Sequence, residues 1–169
     1  MRAAPHVWNL RSGRCFRVIE RALRGAREQF GFRAVHFSVQ GNHIHMVAEA
    51  PDARALGRGM KGLAGRIAKG LNRLMARSGA IFADRYHARL LRTPREVRNA
   101  IVYVLNNARK HFGLRHLDPF SSAAWFDGWR ERVATSADPP LVARARTWLL
   151  GVGWRRHGRI GVAEVPAPG

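Results

Sequence analysis

The chain has 169 residues, 46% of them apolar, enough for one domain or one domain plus an appendage and too many for a disordered protein. Its 30 Lys and Arg stand against 11 Asp and Glu, a net charge of +19 that attracts polyanions, and the excess of arginine favours bidentate phosphate contacts. No run of about 18 apolar residues is present to span a membrane. The opening MRAAPHVWNLRSGR lacks the apolar core of a signal peptide. The lone Cys15 cannot form an internal disulfide and reads as a buried small hydrophobe of a cytoplasmic protein.

Residues 14 to 30, RCFRVIERALRGAREQF, predict a helix, because Phe16, Ile19, Leu23, Ala26 and Phe30 recur three or four apart between arginines. Gly31 is its stop signal.

Two strand-like runs follow, FRAVHFSVQ and HIHMVAEA, joined by Gly41-Asn42 as a two-residue hairpin turn. That turn sets Gln40 opposite His43, Val39 opposite Ile44, Phe37 opposite Met46 and Val35 opposite Ala48. The apolar pairs claim one face. His36, Ser38, Gln40, His43, His45, Val47 and Glu49 take the other, because side chains alternate along a strand.

After Pro51 and Asp52, Ala53 to Arg77 predicts a long amphipathic helix with Leu56, Met60, Leu63, Ile67, Leu71 and Leu74 as its stripe. Gly57, Gly59, Gly62, Gly65 and Gly70 weaken it by roughly 1 kcal/mol each, which implies a frayed start or the close approach of a partner. Ser78-Gly79 is a turn, and residues 80 to 92 read as extended, with strand character from Tyr86 to Leu91. Thr93, Pro94 and Glu96 form the signature of a capping box, opening a helix to about His111 that ends before Gly113. LDPFSSAAWFDGW is aromatic and turn-rich, TSADPP is linker-like, the basic run from Leu141 carries tryptophans, and VPAPG reads as a disordered tail.

His43 and His45, two apart on a strand, point the same way and can grip one ion. A closed structural zinc site needs more ligands, commonly cysteines, than this chain offers, so a partly open metal site is the better metal reading. The pair alone reads equally as a chance surface pattern. The helix from Pro94 adds a second feature. Val97, Ile101, Val104, Leu105, Ala108 and Phe112 form its apolar arc, and Tyr103 lies about 150° from the middle of that arc. Glu96, Asn107 and Lys110 share its side. An off-stripe tyrosine is either a surface residue or a nucleophile.

Three ordered segments resemble a known family. SVQGNHIHMVAEA resembles the His-hydrophobic-His core of the HUH single-strand nucleases. GAIFADRYHARLLRTPREVRNAIVYVLNNARKHFG resembles the downstream half of the IS200-like single-tyrosine transposases, especially the REP-associated ones. The shared pattern is Asn42-His43-Ile44-His45, then Gly79 to Tyr86, then Tyr103-x-x-x-Asn107, within residues 14 to 113.

The resemblance implies an α+β, ferredoxin-like fold with an antiparallel sheet and helices packed on it over residues 1–113, and a basic, Trp-containing extension over 114–169, irregular or helical. It implies a divalent ion, Mg²⁺ or Mn²⁺, on His43, His45 and Asn107. It implies attack by Tyr103 on single-stranded, hairpin-bearing DNA to leave a 5′-phosphotyrosine, and a monomer or homodimer at the bacterial nucleoid without a membrane partner. Arg58, Lys61, Arg85, Arg109 and Lys110 are the candidate backbone contacts, and Trp125, Trp129, Trp148 and Trp154 either stack bases or pack the extension, packing being expected for at least two. Three departures stand out. The family's first strand has no clear counterpart, with HVWNL its nearest substitute. The proline after the motif asparagine is Ala108. His36 and Glu49 compete with Asn107 for the third ligand position. The alternative reading is a non-catalytic nucleic-acid-binding protein.

Overall fold

The computed structural model describes residues 1–112 and 116–166, and for 110–112 the backbone alone. The sequence's expectations for Gly113 and for the last three residues of the tail lie outside the described residues. The chain folds as α+β, with a three-stranded antiparallel open sheet in the order β1-β2-β3 and helices on both faces. Helix α1 spans Gly13–Ala26, β1 Glu28–Gln29, β2 Phe32–Val39, β3 Ile44–Glu49, α2 Ala53–Leu74 and α3 Pro94–Phe112. The extension adds a 3-10 turn at Ser122–Trp125, a short α4 at Trp148–Gly151 and a second 3-10 turn at Gly153–His157.

Each long helix starts where a side chain satisfies an orphan amide. Ser12 Oγ accepts from Cys15 N–H, and Asp52 Oδ1 accepts from Ala55 N–H at 2.7 Å. At α3 the expected capping box is complete. Glu96 N–H donates to Thr93 Oγ1 at 3.2 Å, and Thr93 N–H donates to Glu96 Oε2 at 3.1 Å. Helix α1 stops four residues short of the expected end. Phe30 (φ 54°) and Gly31 (φ 82°) form a tight turn pairing Gln29 with Phe32, and a helical Phe30 is incompatible with it. Phe30 is therefore exposed rather than part of the α1 stripe. Helix α2 ends at Leu74 rather than Arg77, because Ala76 turns left-handed at φ 50°.

The β2–β3 register follows the expectation over Val39–Ile44 and Phe37–Met46, then departs from it. A β-bulge inserts Val35, so Ala34, not Val35, faces Ala48. Both faces of the sheet gain from this. Ala34 joins Phe37, Val39 and Ile44 against α1 and α2, and Val35 turns with Val47 toward Ile101 and Leu105 of α3. The histidine face is thus no solvent face. Over much of its area it forms a second core beneath α3 and the C-terminal extension, in which Phe126, Trp129 and Trp154 are buried. Cys15 is fully buried, as expected.

Two of the five glycines of α2, Gly59 and Gly70, are explained by approach. A Cβ on Gly59 would meet Phe32 at 2.2 Å, and one on Gly70 would meet Val18 at 2.4 Å. Helix α2 therefore lies close on β2 and α1. Gly65 has nothing within 4 Å. Gly59→Ala is expected to lower the urea midpoint by an amount equivalent to about 2 kcal/mol from overpacking, whereas Gly65→Ala raises stability by about 0.5–1 kcal/mol through helix propensity. Equal midpoints for the two variants would contradict this packing.

Segments without long strands close the sheet's edges. On one side Met1 and Ile44 exchange backbone hydrogen bonds at 2.8 and 3.0 Å, and Arg2 bridges His43. Residues 1 to 3 meet the sheet through such isolated contacts and form no strand of their own. HVWNL lies in turns and forms no strand. Ala3 in turn bridges Phe82, but Tyr86 to Leu91 runs without the expected strand, its side chains mostly exposed. On the other side Val39 N–H donates to Phe120 C=O, Phe37 N–H to Ser122 Oγ and Ala143 N–H to Ala34 C=O. The extension is thereby stitched into the sheet that carries the histidines. Among the described residues no helix is long and apolar enough to cross a membrane.

Candidate active site

His43 and His45 stand where β3 leaves the Gly41-Asn42 turn, on the face crossed by α3. Their Nε2 atoms are 2.8 Å apart. His43 Nδ1 lies 2.8 Å from Asn42 Oδ1, an acceptor, which favours the proton on Nδ1, so that the neutral tautomer of the ring would turn its Nε2 lone pair toward His45. From the sequence Asn42 is a turn residue and the first letter of a pattern; its side chain also orients a candidate ligand.

Two imidazole nitrogens this close need a proton or a cation between them. Nitrogens bound to one ion at about 2.1 Å lie roughly 3 Å apart when they subtend a right angle, so the pair fits a single divalent ion. Among the described residues no third His, Cys, Asp or Glu joins it. The remaining positions would take oxygens, from an amide, water or the anionic phosphate of a substrate, a set that suits Mg²⁺ or Mn²⁺.

Helix α3 brings the tyrosine to the same place. The Tyr103 hydroxyl lies 3.5 Å from His45 Nε2, and the rings meet edge-to-face with centroids 4.9 Å apart. Tyr103 is 42% exposed, so a polymer can reach its hydroxyl. One turn on, Asn107 is 1% exposed and its Nδ2 has no hydrogen-bond partner among the described residues. Rotating that amide exchanges Nδ2 and Oδ1, so the side chain is able to present an oxygen instead. The proline position after it is filled by Ala108, which is fully buried, and α3 continues through it.

The two competitors for the third position are committed elsewhere. Glu49 accepts from Arg33 Nε, the backbone amides of Arg146 and Thr147, and Thr147 Oγ1 at 2.6 Å. His36 is buried edge-on to Phe126, with Nδ1 lacking a partner among the described residues. Burial lowers its pKa from 6.5 to about 4, against a weaker opposite pull from Asp127. His36 is therefore neutral in the fold while the unfolded chain protonates near 6.5. Stability is expected to be full above pH 6.5 and to fall by about 1.4 kcal/mol per pH unit toward pH 4. His36→Gln should flatten that slope in urea titrations run at successive pH values; an unchanged slope would exclude His36 as its source.

The basic candidates are dispersed. Arg58 and Lys61 project from α2, on the opposite sheet face from the histidines, and Arg58 lies over the Phe30 ring at the far end of β2. Arg85 is exposed in the irregular segment after Phe82. Arg109 is half-buried on α3, lining a small cavity with Asn106 and Asp118. The side chain of Lys110 lies outside the described residues. Trp129 and Trp154 pack the second core, bearing out the expectation for two of the four. Trp125 is half-buried with Nε1–H donating to Asp138 C=O, and Trp148 is half-exposed beneath Arg156.

No family model, no curated protein and no solved structure matches this chain.

Proposed function

We propose that this chain is a divalent-metal-dependent single-stranded DNA transesterase of the HUH single-tyrosine type, its sheet a reduced version of the ferredoxin-like sheet of that family. The observation that carries the reading is the convergence of Tyr103 with His45 and His43, 3.5 and 2.8 Å apart in succession although the tyrosine is 58 residues away in the chain.

A divalent ion held by His43 and His45 would polarise the scissile phosphate and offset the charge that builds on it. Asn42 keeps His43 in the tautomer that offers Nε2. Asn107 is the chain's own candidate for a third ligand. The Tyr103 oxygen attacks phosphorus and loses its proton. The bond from phosphorus to the 3′ oxygen breaks, and that oxygen gains a proton. A 5′-phosphotyrosine and a free 3′ hydroxyl result, and the reverse step rejoins strands without outside energy. The net charge of +19 holds the DNA backbone near the site.

The test is covalent capture. Purified protein with Mn²⁺ and a labelled hairpin-bearing single strand should give an SDS-resistant adduct, lost on chelation. Salt-sensitive binding without an adduct would favour a non-catalytic nucleic-acid-binding protein. Unfolding on chelation would instead favour a structural zinc site.

A further inference from the structure

An exposed tryptophan sits on a strap pinned to the histidine hairpin, with nothing yet assigned to it. Trp8 is 46% exposed and lines a shallow open groove with Ser12, Gly13, Arg14 and Arg17. The strap that carries it is fixed to the β2–β3 turn. Leu10 is fully buried and its N–H donates to Gly41 C=O at 2.8 Å, and Asn9 Oδ1 lies against Gly41. Arg11 donates to Val39 C=O and makes a bidentate pair with Asp118 at 2.8 and 2.9 Å. Trp8 is thus two residues from a hydrogen bond to Gly41, and Gly41 is two residues from His43. At 3.8 Å per residue, with the hydrogen bond crossed between them, the path is at most on the order of 20 Å, a span that a few nucleotides of single strand cover.

We infer that Trp8 is a base-stacking site, with Arg14 and Arg17 as its phosphate contacts, which holds one nucleotide of a single strand whose neighbours reach the His43–His45 turn. The inference rests on the transesterase reading for what happens at that turn, and on the groove alone for binding.

The shape of the patch selects this occupant. The ring is isolated: Pro5, His6 and Asn9 around it are exposed, and Ser12 and Gly13 are small. A protein or membrane partner would be served by a wide apolar patch, whereas one flat ring beside two guanidiniums suits one base and its phosphates. Among the described residues neither Arg14 nor Arg17 has a carboxylate partner. The anchored strap fixes the backbone that carries the ring before the strand arrives, so less backbone freedom is lost on binding.

The experiment is fluorescence anisotropy with a short labelled single-stranded DNA, followed by the same strand with one base at a time removed. Trp8→Ala should weaken binding about tenfold and Trp8→Phe by no more than about threefold, with unchanged melting temperatures. Removing one particular base should abolish the difference between parent and Trp8→Ala, while removing others leaves it. Parent-like binding by Trp8→Ala, or an equal difference at every position, would overturn the inference. Should Trp8→Ala melt early, the double variant Arg14→Glu/Arg17→Glu, on two exposed side chains, carries the test with the same tenfold expectation. Adduct formation is read in parallel. A normal adduct with parent-like Trp8→Ala binding sinks the stacking site and spares the transesterase; a base-specific Trp8 effect without any parental adduct does the reverse.

Discussion

Tyr103→Phe is expected to abolish covalent capture of DNA, lowering adduct formation at least about 10³-fold while leaving binding within about twofold. The substitution removes one hydroxyl and keeps the ring that packs edge-on against His45. Because Tyr103 is 42% exposed, the folded state should lose no more than about 0.5 kcal/mol. The chain has one other tyrosine, Tyr86, which makes the control decisive. Its hydroxyl lies near Gly57 of α2, on the far side of the sheet, so Tyr86→Phe should form adduct as the parent does. Adduct from Tyr103→Phe that disappears in Tyr86→Phe would move the nucleophile and dismantle the proposed site. His45→Ala should also lose the adduct, since it removes one of the two nitrogens that face each other at 2.8 Å.

Glu49→Ala should produce the largest loss of stability of any substitution considered, about 3–5 kcal/mol by urea denaturation. The residue is 6% exposed at the end of β3 and accepts from Arg33, Arg146 N–H, Thr147 N–H and Thr147 Oγ1. Truncation leaves Arg33, its side chain 14% exposed, without that carboxylate, and strips the N-cap Thr147 of α4 of the acceptor that holds it. The extension would then lose its anchor on the sheet. Burial works to raise the Glu49 pKa, but the hydrogen bonds from Thr147, Arg146 and Arg33 outweigh it and hold it below the ordinary 4.5. The charged form is therefore the stabilising one. Its contribution is complete above pH 4.5 and disappears as pH falls through the lower folded value. This window opens only at pH 4.5, near the bottom of the one set by His36, so the two can be separated above it: the His36 slope begins near pH 6.5 and survives Glu49→Gln. A loss under about 1 kcal/mol in Glu49→Ala would mean that the extension is held by its apolar contacts alone.

The local devices of this chain are readable because they involve neighbours in sequence. The Gly41-Asn42 turn, the alternation that separates Phe37 and Ile44 from Ser38 and His45, and the Thr93–Glu96 capping box depend on spacings of two to four residues, and each forms as read. The off-stripe position of Tyr103 is legible for the same reason, since helix geometry is set by the residue count along α3. Apart from the early ends of α1 and α2, which local left-handed turns set, expectation failed where a distant partner intervened or was missing. Val35 leaves the Phe37 face because a bulge lets it fill space against α3, an element sixty residues away. Tyr86 to Leu91 has strand-forming residues but no strand edge to pair with, the nearest contact ending at Phe82–Ala83. Arg58 and Lys61 look like members of one basic surface in sequence, yet the sheet stands between them and the histidines.

The sequence by itself determined the parts: two imidazoles on one side of a strand, a tyrosine off the core arc of a helix, a strong positive charge and helices with defined starts. Only the tertiary structure decided that the tyrosine hydroxyl comes to 3.5 Å from His45, that Glu49 is spent on anchoring the extension, that His36 is sealed under Phe126, and that the strap carrying Trp8 is pinned to the hairpin turn through Leu10 and Gly41. Periodicity states which way a side chain points from its own element. Which element lies opposite is set by burial across the whole chain, where apolar area from many separate segments is shared between two faces of one sheet.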